Sequence, residues 1–218
     1  MEDYTLRYAL LKDIAFLVET IIEAEKSGTD TLSYTTIFGL TQRQTVEALT
    51  RILEEEIDGC ELSLSSFMIA EKDGKIAAAV GAWIEGNEGV SSTAIKGSLL
   101  AHVLPLDAVR KSSQIANVIS ELHMEVEKGV IQIGLVYVDG NHRGKNLTQL
   151  LINQHITNSK AKSEALTQVH VQVFGNNIPA IRAYEKFGFK KMKEVRSLSE
   201  VITDYLPYHT KIAMMLNI

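Results

Sequence analysis

Ten consecutive residues, GVIQIGLVYV from Gly129 to Val138, are almost wholly apolar, and the chain then passes at once into a short basic stretch rich in glycine. A strand that is apolar on both faces must be covered on both faces, so this segment predicts a central strand of a layered sheet rather than an edge. The stretch that follows, DGNHRGKNLTQLL, carries Gly140, His142, Arg143, Gly144 and Lys145 before leucines at 147, 150 and 151 take up helical spacing. The first turn of a helix has main-chain N–H groups without intrahelical partners, and its dipole favours an anion there. Glycine lets the backbone approach a ligand closely. The loop is therefore a candidate phosphate cradle, with an ordinary solvated strand–helix connection as the alternative. Two nucleotide motifs do not fit. Gly140 and Gly144 are one residue too close for the ATP-binding loop, and Asn146 follows Lys145 where Ser or Thr is needed. The dinucleotide fingerprint G-x-G-x-x-G is absent.

Around this unit helix and strand patterns alternate. Thr5 to Tyr8 reads as a short opening strand. Ile14, Leu17, Val18, Ile21 and Ile22 recur at three-four spacing and predict an amphipathic helix ending before Gly28. Thr41 with Gln44 has the form of a capping box, opening a helix through Val46, Leu49, Ile52 and Leu53. Strands over 66–70 and 75–84 flank an Asp73-Gly74 hairpin turn. Residues 86–129 are too long for a hairpin loop. Leu99, Leu100 and Val103 predict one helix there, and Val109, Ile115, Val118, Ile119 and Leu122 a second. Beyond the loop, TQVHVQVF (Thr167 to Phe174) alternates strictly, as a half-buried strand does. Asn177 caps a short helix carrying Ala180, Ile181 and Tyr184 and closed by Gly188. Strands near 189–196 and 209–216 end the chain. The expected class is α/β in mixed (α+β) order, one domain over 1–218 with a helical insertion at about 86–129. The strand–helix–strand unit favours parallel pairing of 130–138 with 167–174.

Composition narrows function by exclusion. With 218 residues, 45% of them apolar, the chain can bury a sizeable core without disulfides or metals. A net charge of −5 lacks the basic excess of a general nucleic-acid binder. Cys60 is the one cysteine, so no disulfide framework or cysteine-rich metal site is expected. None of the six histidines falls in an H-E-x-x-H arrangement, and no metal is predicted. No apolar run is long enough to span a membrane. The opening MEDYTLRYALLKD has no basic region followed by a long apolar stretch, so no secretory leader is expected and a cytoplasmic location fits.

A second segment, NNIPAIRAYEKFGF (176–189), follows one strand later. Taken with YVDGNHRGKNLTQLL, it resembles the signature segments of the GNAT superfamily of acyl-CoA-dependent N-acetyltransferases. The first family segment usually reads Arg-x-x-Gly-x-Gly/Ala after a strand ending in Val, and is matched at Val138, Arg143 and Gly144. The second reads Asn-x-x-Ala-x-x-x-Tyr followed by Gly-Phe, and is matched at Asn177, Ala180, Tyr184, Gly188 and Phe189. Asn146 stands where glycine is usual and Thr148 where glycine or alanine is usual. Asn is among the better non-glycine residues for a left-handed turn, and the Thr148 hydroxyl is a potential hydrogen-bond donor. The likeness covers about residues 130–192; before that it is architectural only.

The resemblance implies a GNAT-like fold: a mixed, mostly antiparallel sheet with one splayed parallel pair and helices on both faces. It implies acetyl-CoA as cosubstrate. Main-chain groups around Val136 and Val138 would bind its pantetheine arm. N–H groups of Arg143, Gly144, Lys145, Asn146, Leu147 and Thr148 would hold its pyrophosphate, and Asn177 would help to place the thioester end. Tyr184 is the implied general acid for the leaving thiolate, with helix–core packing as its plainer role. Many relatives carry a glutamate roughly where Gly134 falls. Here no carboxylate lies between Val130 and Tyr137, so the general base is unassigned, with His123, Glu125, Glu127, Asp139 and His170 as neighbours of the strand pair. Trp83, Tyr137, Tyr205 and Tyr208 are candidates for lining an acceptor pocket, and the 86–129 insertion for covering it. The implied partner is a small-molecule amine, with no nucleic acid and no membrane; self-association as a homodimer is common in the family. A non-catalytic acyl-CoA sensor, or an enzyme acting on protein lysines or N-termini, are the alternatives.

Overall fold

A computed structural model of the chain describes residues 4–87 and 89–218. Residues 1–3, part of the stretch read for a leader, and Glu88, inside the expected insertion, lie outside the described residues. The strands are β1 Thr5–Tyr8, β2 Phe67–Lys72, β3 Lys75–Ile84, β4 Ile131–Val138, β5 Gln168–Phe174, β6 Lys190–Arg196 and β7 Thr210–Asn217. They form one sheet in the order β1-β2-β3-β4-β5-β7-β6. β4 and β5 pair in parallel, and every other neighbouring pair is antiparallel. This is the mixed, mostly antiparallel sheet that the sequence led us to expect.

Period-two alternation sends neighbouring side chains to opposite faces. Phe67, Ile69 and Ala79 join a core with helices α1 (Ile14–Lys26), α2 (Ser33–Phe38) and α3 (Gln42–Glu54). Met68, Ala70, Ala78 and Val80 join Ile131, Ile133, Val169 and Val171 in a second core on the other face. Full burial of each large apolar side chain contributes roughly 1.5–3 kcal/mol. The α3 start is the expected capping box: Gln44 N donates to Thr41 Oγ1 (3.2 Å) and Thr41 N donates to Gln44 Oε1 (2.9 Å). Helix α2 was not anticipated, because its six residues are too few to show a periodic face.

Between β3 and β4 lie α4 (Ser92–Val103), α5 (Leu106–Gln114) and α6 (Ala116–Ser120). The expected second helix is thus broken, at Ile115 (φ −109°, ψ 7°). The Ser112 and Ser113 hydroxyls both donate to Val109 O, at 2.8 and 3.0 Å. Such local side-chain bonds compete with the helical ladder. Just past α6, the Glu121 carboxylate accepts from Ser197 Oγ (2.7 Å) and from the N–H groups of Leu198 (3.0 Å) and Ser199 (3.2 Å). These bonds tie the end of the helical segment to the β6–β7 connection.

The feature that positions the site is where β4 leaves its neighbours. Helix α7 (Leu147–Lys162) follows β4, and α8 (Ile178–Phe187) follows β5. β5 pairs with β4 only from Ile131↔Val169 to Ile133↔Val171. On the other side Gly81 faces Gly134 and Val80 faces Val136, so the register slips by one residue. Leu135, the extra residue, has φ +52°, a conformation that costs a side-chain-bearing residue roughly 1–2 kcal/mol. A β-carbon on Gly81 would lie 3.0 Å from Gly134 O, so the bulge favours glycine there. His155 of α7 donates from Nε2 to the carbonyl of Val80, where the slip begins, at 2.9 Å. No helix among the described residues is long and apolar enough to cross a membrane.

Candidate active site

Asp139 follows β4; its carboxylate accepts from Asn141 N (2.9 Å) and opens a 3-10 turn over Gly140–His142. Arg143 Nε then donates back to Val138 O at 3.4 Å. Gly144 (φ +77°) and Asn146 (φ +59°) both take the left-handed conformation, and α7 starts at Leu147. Asn146 therefore adopts the turn that glycine adopts most easily. Among the described residues, no main-chain carbonyl accepts a hydrogen bond from the N–H of Arg143, Gly144, Asn146, Leu147, Thr148 or Gln149. A β-carbon at Gly140 or Gly144 would meet nothing within 4 Å, so the space beside both is open. Unpaired donors, the positive end of α7 and open space are what a pyrophosphate needs. The residues present fit that group.

A cavity of about 210 Å³ lies against this loop, lined by Val138, Arg143–Thr148 and, from α8, Tyr184 and Phe187. A larger one, about 770 Å³, opens between the splayed strands, bounded by Gly134–Val136 of β4 and Val171–Phe174 of β5. Thr148, Ala183 and Tyr184 line both. The sequence-predicted residues on the loop, Arg143 to Thr148, with Val138 and Tyr184, thus share one cavity, and Val136 and Asn177 line the other.

Tyr184 is 7% exposed and packs edge-on to Phe189, with centroids 5.6 Å apart. Its hydroxyl makes no hydrogen bond to any described residue. Burial alone pushes its pKa well above the ordinary tyrosine value, so the phenol stays protonated at neutral pH. Asn177 caps α8 by accepting from Ala180 N (3.2 Å), while its Nδ2 donates to Ser27 Oγ (3.2 Å). That bond fastens the turn after α1 to the start of α8, across the mouth of the strand pair.

Gly134, roughly where the resemblance implies a glutamate in many relatives, lies against Trp83. A β-carbon there would lie 3.1 and 3.2 Å from the indole ring. The indole N–H donates to Glu85 (3.2 Å), which also accepts from Ser92 N (2.9 Å) and Ser92 Oγ (2.5 Å). Charge instead gathers elsewhere on the lining of the large cavity. Glu23, Glu25, Tyr34, Glu61, Lys96 and Lys211 all line it. Glu61 and Lys96 form an ion pair at 2.8 Å. Burial opposes the charge on each, but the partner outweighs it: the Glu61 carboxyl is held below its ordinary value and the Lys96 ammonium well above. Glu25 accepts from the Ser33 hydroxyl.

These wall residues carry no motif and were not read from the sequence. Among the residues that were proposed, Trp83 and His123 line the large cavity. Glu125, Glu127 and Asp139 line neither cavity, and nor do Tyr205 and Tyr208. Tyr137 lies outside both and donates to Glu19 (3.1 Å). His170 shares a hydrogen bond with Gln168 at 3.3 Å and is also outside both walls. Among the described residues, no three His, Cys, Asp or Glu side chains converge as a metal site.

Several solved structures share this fold. An N-acetyltransferase from Staphylococcus aureus Mu50 superposes with a TM-score of 0.68 at 13% identity, over 97% of this chain and 100% of its own. The polyamine N-acetyltransferase of Drosophila melanogaster, which forms N-acetylagmatine, gives 0.57 at 16% identity, over 99% of this chain and 100% of its own. The protein yncA of Salmonella typhimurium, solved with its cofactor acetyl-CoA, gives 0.53 at 13% identity, over 99% of this chain and 94% of its own. At such identities the likeness is one of fold. No curated protein sequence matches the chain significantly. A family model described as the acetyltransferase (GNAT) family matches residues 34–189, well over half of the sequence, and the chain belongs to that family.

Proposed function

We propose that the protein transfers an acetyl group from acetyl-CoA to the primary amine of a small molecule. The observation that carries this reading is the position of Tyr184, whose side chain lines both the loop cavity and the cavity between the splayed strands. When bound, acetyl-CoA supplies an electrophilic thioester and a thiolate leaving group. The main-chain N–H groups of Arg143–Thr148, with the charges of Arg143 and Lys145, hold its pyrophosphate. β4 groups around Val136 and Val138, released from β5 beyond Ile133, serve the pantetheine arm and the developing negative charge on the thioester oxygen. Asn177 keeps the mouth of the splay in shape.

The attacking amine must be neutral. With no carboxylate at position 134, Glu25 takes the proton, directly or through water; it is the cavity carboxylate with no ion-pair partner among the described residues. The amine nitrogen bonds to the acyl carbon, the carbon–sulfur bond breaks, and the Tyr184 phenol gives its proton to the departing thiolate. Helices α4–α6 belong to the same domain as the sheet, and cover the amine side through Ser92, Lys96, Leu100, Ala116 and Ile119. A covered cavity suits a small acceptor. The Drosophila enzyme and an agmatine N-acetyltransferase of the same fold are named for small amines, which supports that class.

The test is thiol release from acetyl-CoA across a panel of small amines, alongside acetyl-CoA binding. Turnover with small amines is expected. Saturable binding without turnover on any amine would make the protein a sensor, and turnover confined to peptide N-termini or lysines would make it a protein acetyltransferase.

A further inference from the structure

We infer that the acceptor is an aminocarboxylate: the molecule that presents its amine to the Glu25 side of the cavity also carries a carboxylate, which Lys211 and Tyr34 hold. The inference rests on the acetyltransferase reading and specifies its substrate class.

The argument starts from which charges on the cavity wall are already matched. Glu61 is paired with Lys96 (2.8 Å) and Glu23 with Lys26 (2.7 Å). That leaves one carboxylate, Glu25, and one ammonium, Lys211, with no ion pair among the described residues. Lys211 does not sit on a loop free to swing away. It lies in β7, in register with Phe174 of β5 and Val195 of β6, and its Nζ stands 5.9 Å from the Phe174 ring centroid. Burial removes its hydration and nearby Lys96 repels it, and although Glu25 and Glu61 lie within electrostatic reach and offset part of this, its pKa falls below the usual lysine value. An ammonium in that state gains from an anion more than a solvated one does.

A second observation is independent of the lysine. Tyr34, 3% exposed on the same wall, has a hydroxyl with no hydrogen-bond partner among the described residues. It is within electrostatic reach of Lys96, Glu25 and Glu61. A buried donor without an acceptor is rare enough to need a reason. Among the described residues the wall therefore presents an ammonium and a carboxylate that make no close ion pair, and a buried hydroxyl with no acceptor. A zwitterion satisfies all three: its ammonium meets Glu25 and its carboxylate meets Lys211 and Tyr34. A diamine satisfies Glu25 but brings its second cation towards Lys211 and Lys96, which is a repulsive element against it.

Matched pairs that differ only by the carboxylate test this: arginine and agmatine, lysine and cadaverine, tyrosine and tyramine. Initial rates of thiol release at saturating acetyl-CoA give kcat/KM for each, with products identified by mass spectrometry. The carboxylated members are expected to be preferred by about ten- to a hundredfold, the range of a charge-assisted hydrogen bond. Lys211→Met should shrink that ratio towards unity, mainly by raising KM for the carboxylated member, and Lys211→Arg should restore most of it. Acetyl-CoA binding shows that each variant is folded; if Lys211→Met is not, Tyr34→Phe supplies the second variant, with a smaller loss of preference. Equal use of both members, preference for the decarboxylated ones, or a ratio unmoved by Lys211→Met overturns the inference while leaving the acetyltransferase reading standing. Acetyl-CoA binding with no acetylation of any amine overturns both.

Discussion

Lowering the pH should cost this fold stability through one residue, His155. The imidazole is 3% exposed, donates from Nε2 to Val80 O at 2.9 Å, and meets the Tyr8 ring edge-on at 6.2 Å between centroids. Burial lowers its pKa from 6.5 to about 4, and the carbonyl offsets this only in part. Above pH 6.5 the ring is neutral in both folded and unfolded chains and contributes no pH dependence. As the pH falls below 6.5, the unfolded chain takes up a proton that the native state refuses, so stability drops. The loss levels off near pH 4, where the native ring also protonates, and by then amounts to about 3 kcal/mol. The assay is urea unfolding of the wild type and His155→Gln between pH 7.5 and 4. At pH 7 the wild type should lead by about 1 kcal/mol, the worth of the hydrogen bond. That lead should shrink and then reverse as the pH falls. His170, whose pKa burial also lowers, and the carboxylates act in both proteins and cancel in the difference. Parallel curves across the whole range would refute the argument. The ring would then not be a buried neutral donor, and the anchor of the β4 bulge would have to be sought elsewhere.

Three further outcomes follow from the site. Tyr184→Phe should reduce amine acetylation about a hundredfold or more while titration calorimetry shows acetyl-CoA affinity little changed; equal loss of both would make Tyr184 a packing residue. Asn146→Ala, forcing alanine into the left-handed turn at φ +59°, should cost about 1 kcal/mol in urea unfolding and weaken acetyl-CoA binding, whereas Asn146→Gly should do neither. Gly134→Ala places a carbon 3.1 Å from the Trp83 ring and should cost about 1–2 kcal/mol; because the chain has a single tryptophan, a shift in its fluorescence reports the displacement directly.

The parts of the fold that could be read from the sequence are those whose cause is local. The Thr41–Gln44 box, the Asp73-Gly74 turn and the strand over 167–174 each act within a few residues, and each stands in the structure, although His170 is buried where strict alternation would expose it. The 86–129 segment could be read as helical, but its break could not. Val109, Ile115, Val118 and Ile119 keep helical spacing across Ile115, and the Ser112 and Ser113 hydroxyls that compete with the ladder look in sequence like ordinary solvated serines. Helix α2 escaped because its stabilising contacts are tertiary: Tyr34 is buried in the core beneath the sheet, and Thr36 Oγ1 donates to Tyr205 O (2.7 Å), far along the chain.

The two sides of the site differ for the same reason. A phosphate cradle is made by one continuous run of main-chain N–H groups, so its residues must be consecutive, and a motif can record them. An acceptor wall has no such constraint. Glu25 lies in the last turn of α1, Tyr34 in α2, Glu61 precedes β2, Lys96 is in α4 and Lys211 in β7, and only the folded sheet brings them to one cavity. Their pairing is just as invisible in one dimension: that Glu61 pairs with Lys96 while Lys211 makes no ion pair among the described residues depends on which elements meet, not on spacing. The glycine at 134 carries the same lesson in reverse. In sequence it marks only a missing carboxylate. In the structure it lies against the Trp83 ring, which any side chain at that position would have to displace. On the proposed reaction the proton acceptor comes from this dispersed wall, where Glu25 has no ion-pair partner among the described residues, and not from β4, which carries no carboxylate between Val130 and Tyr137.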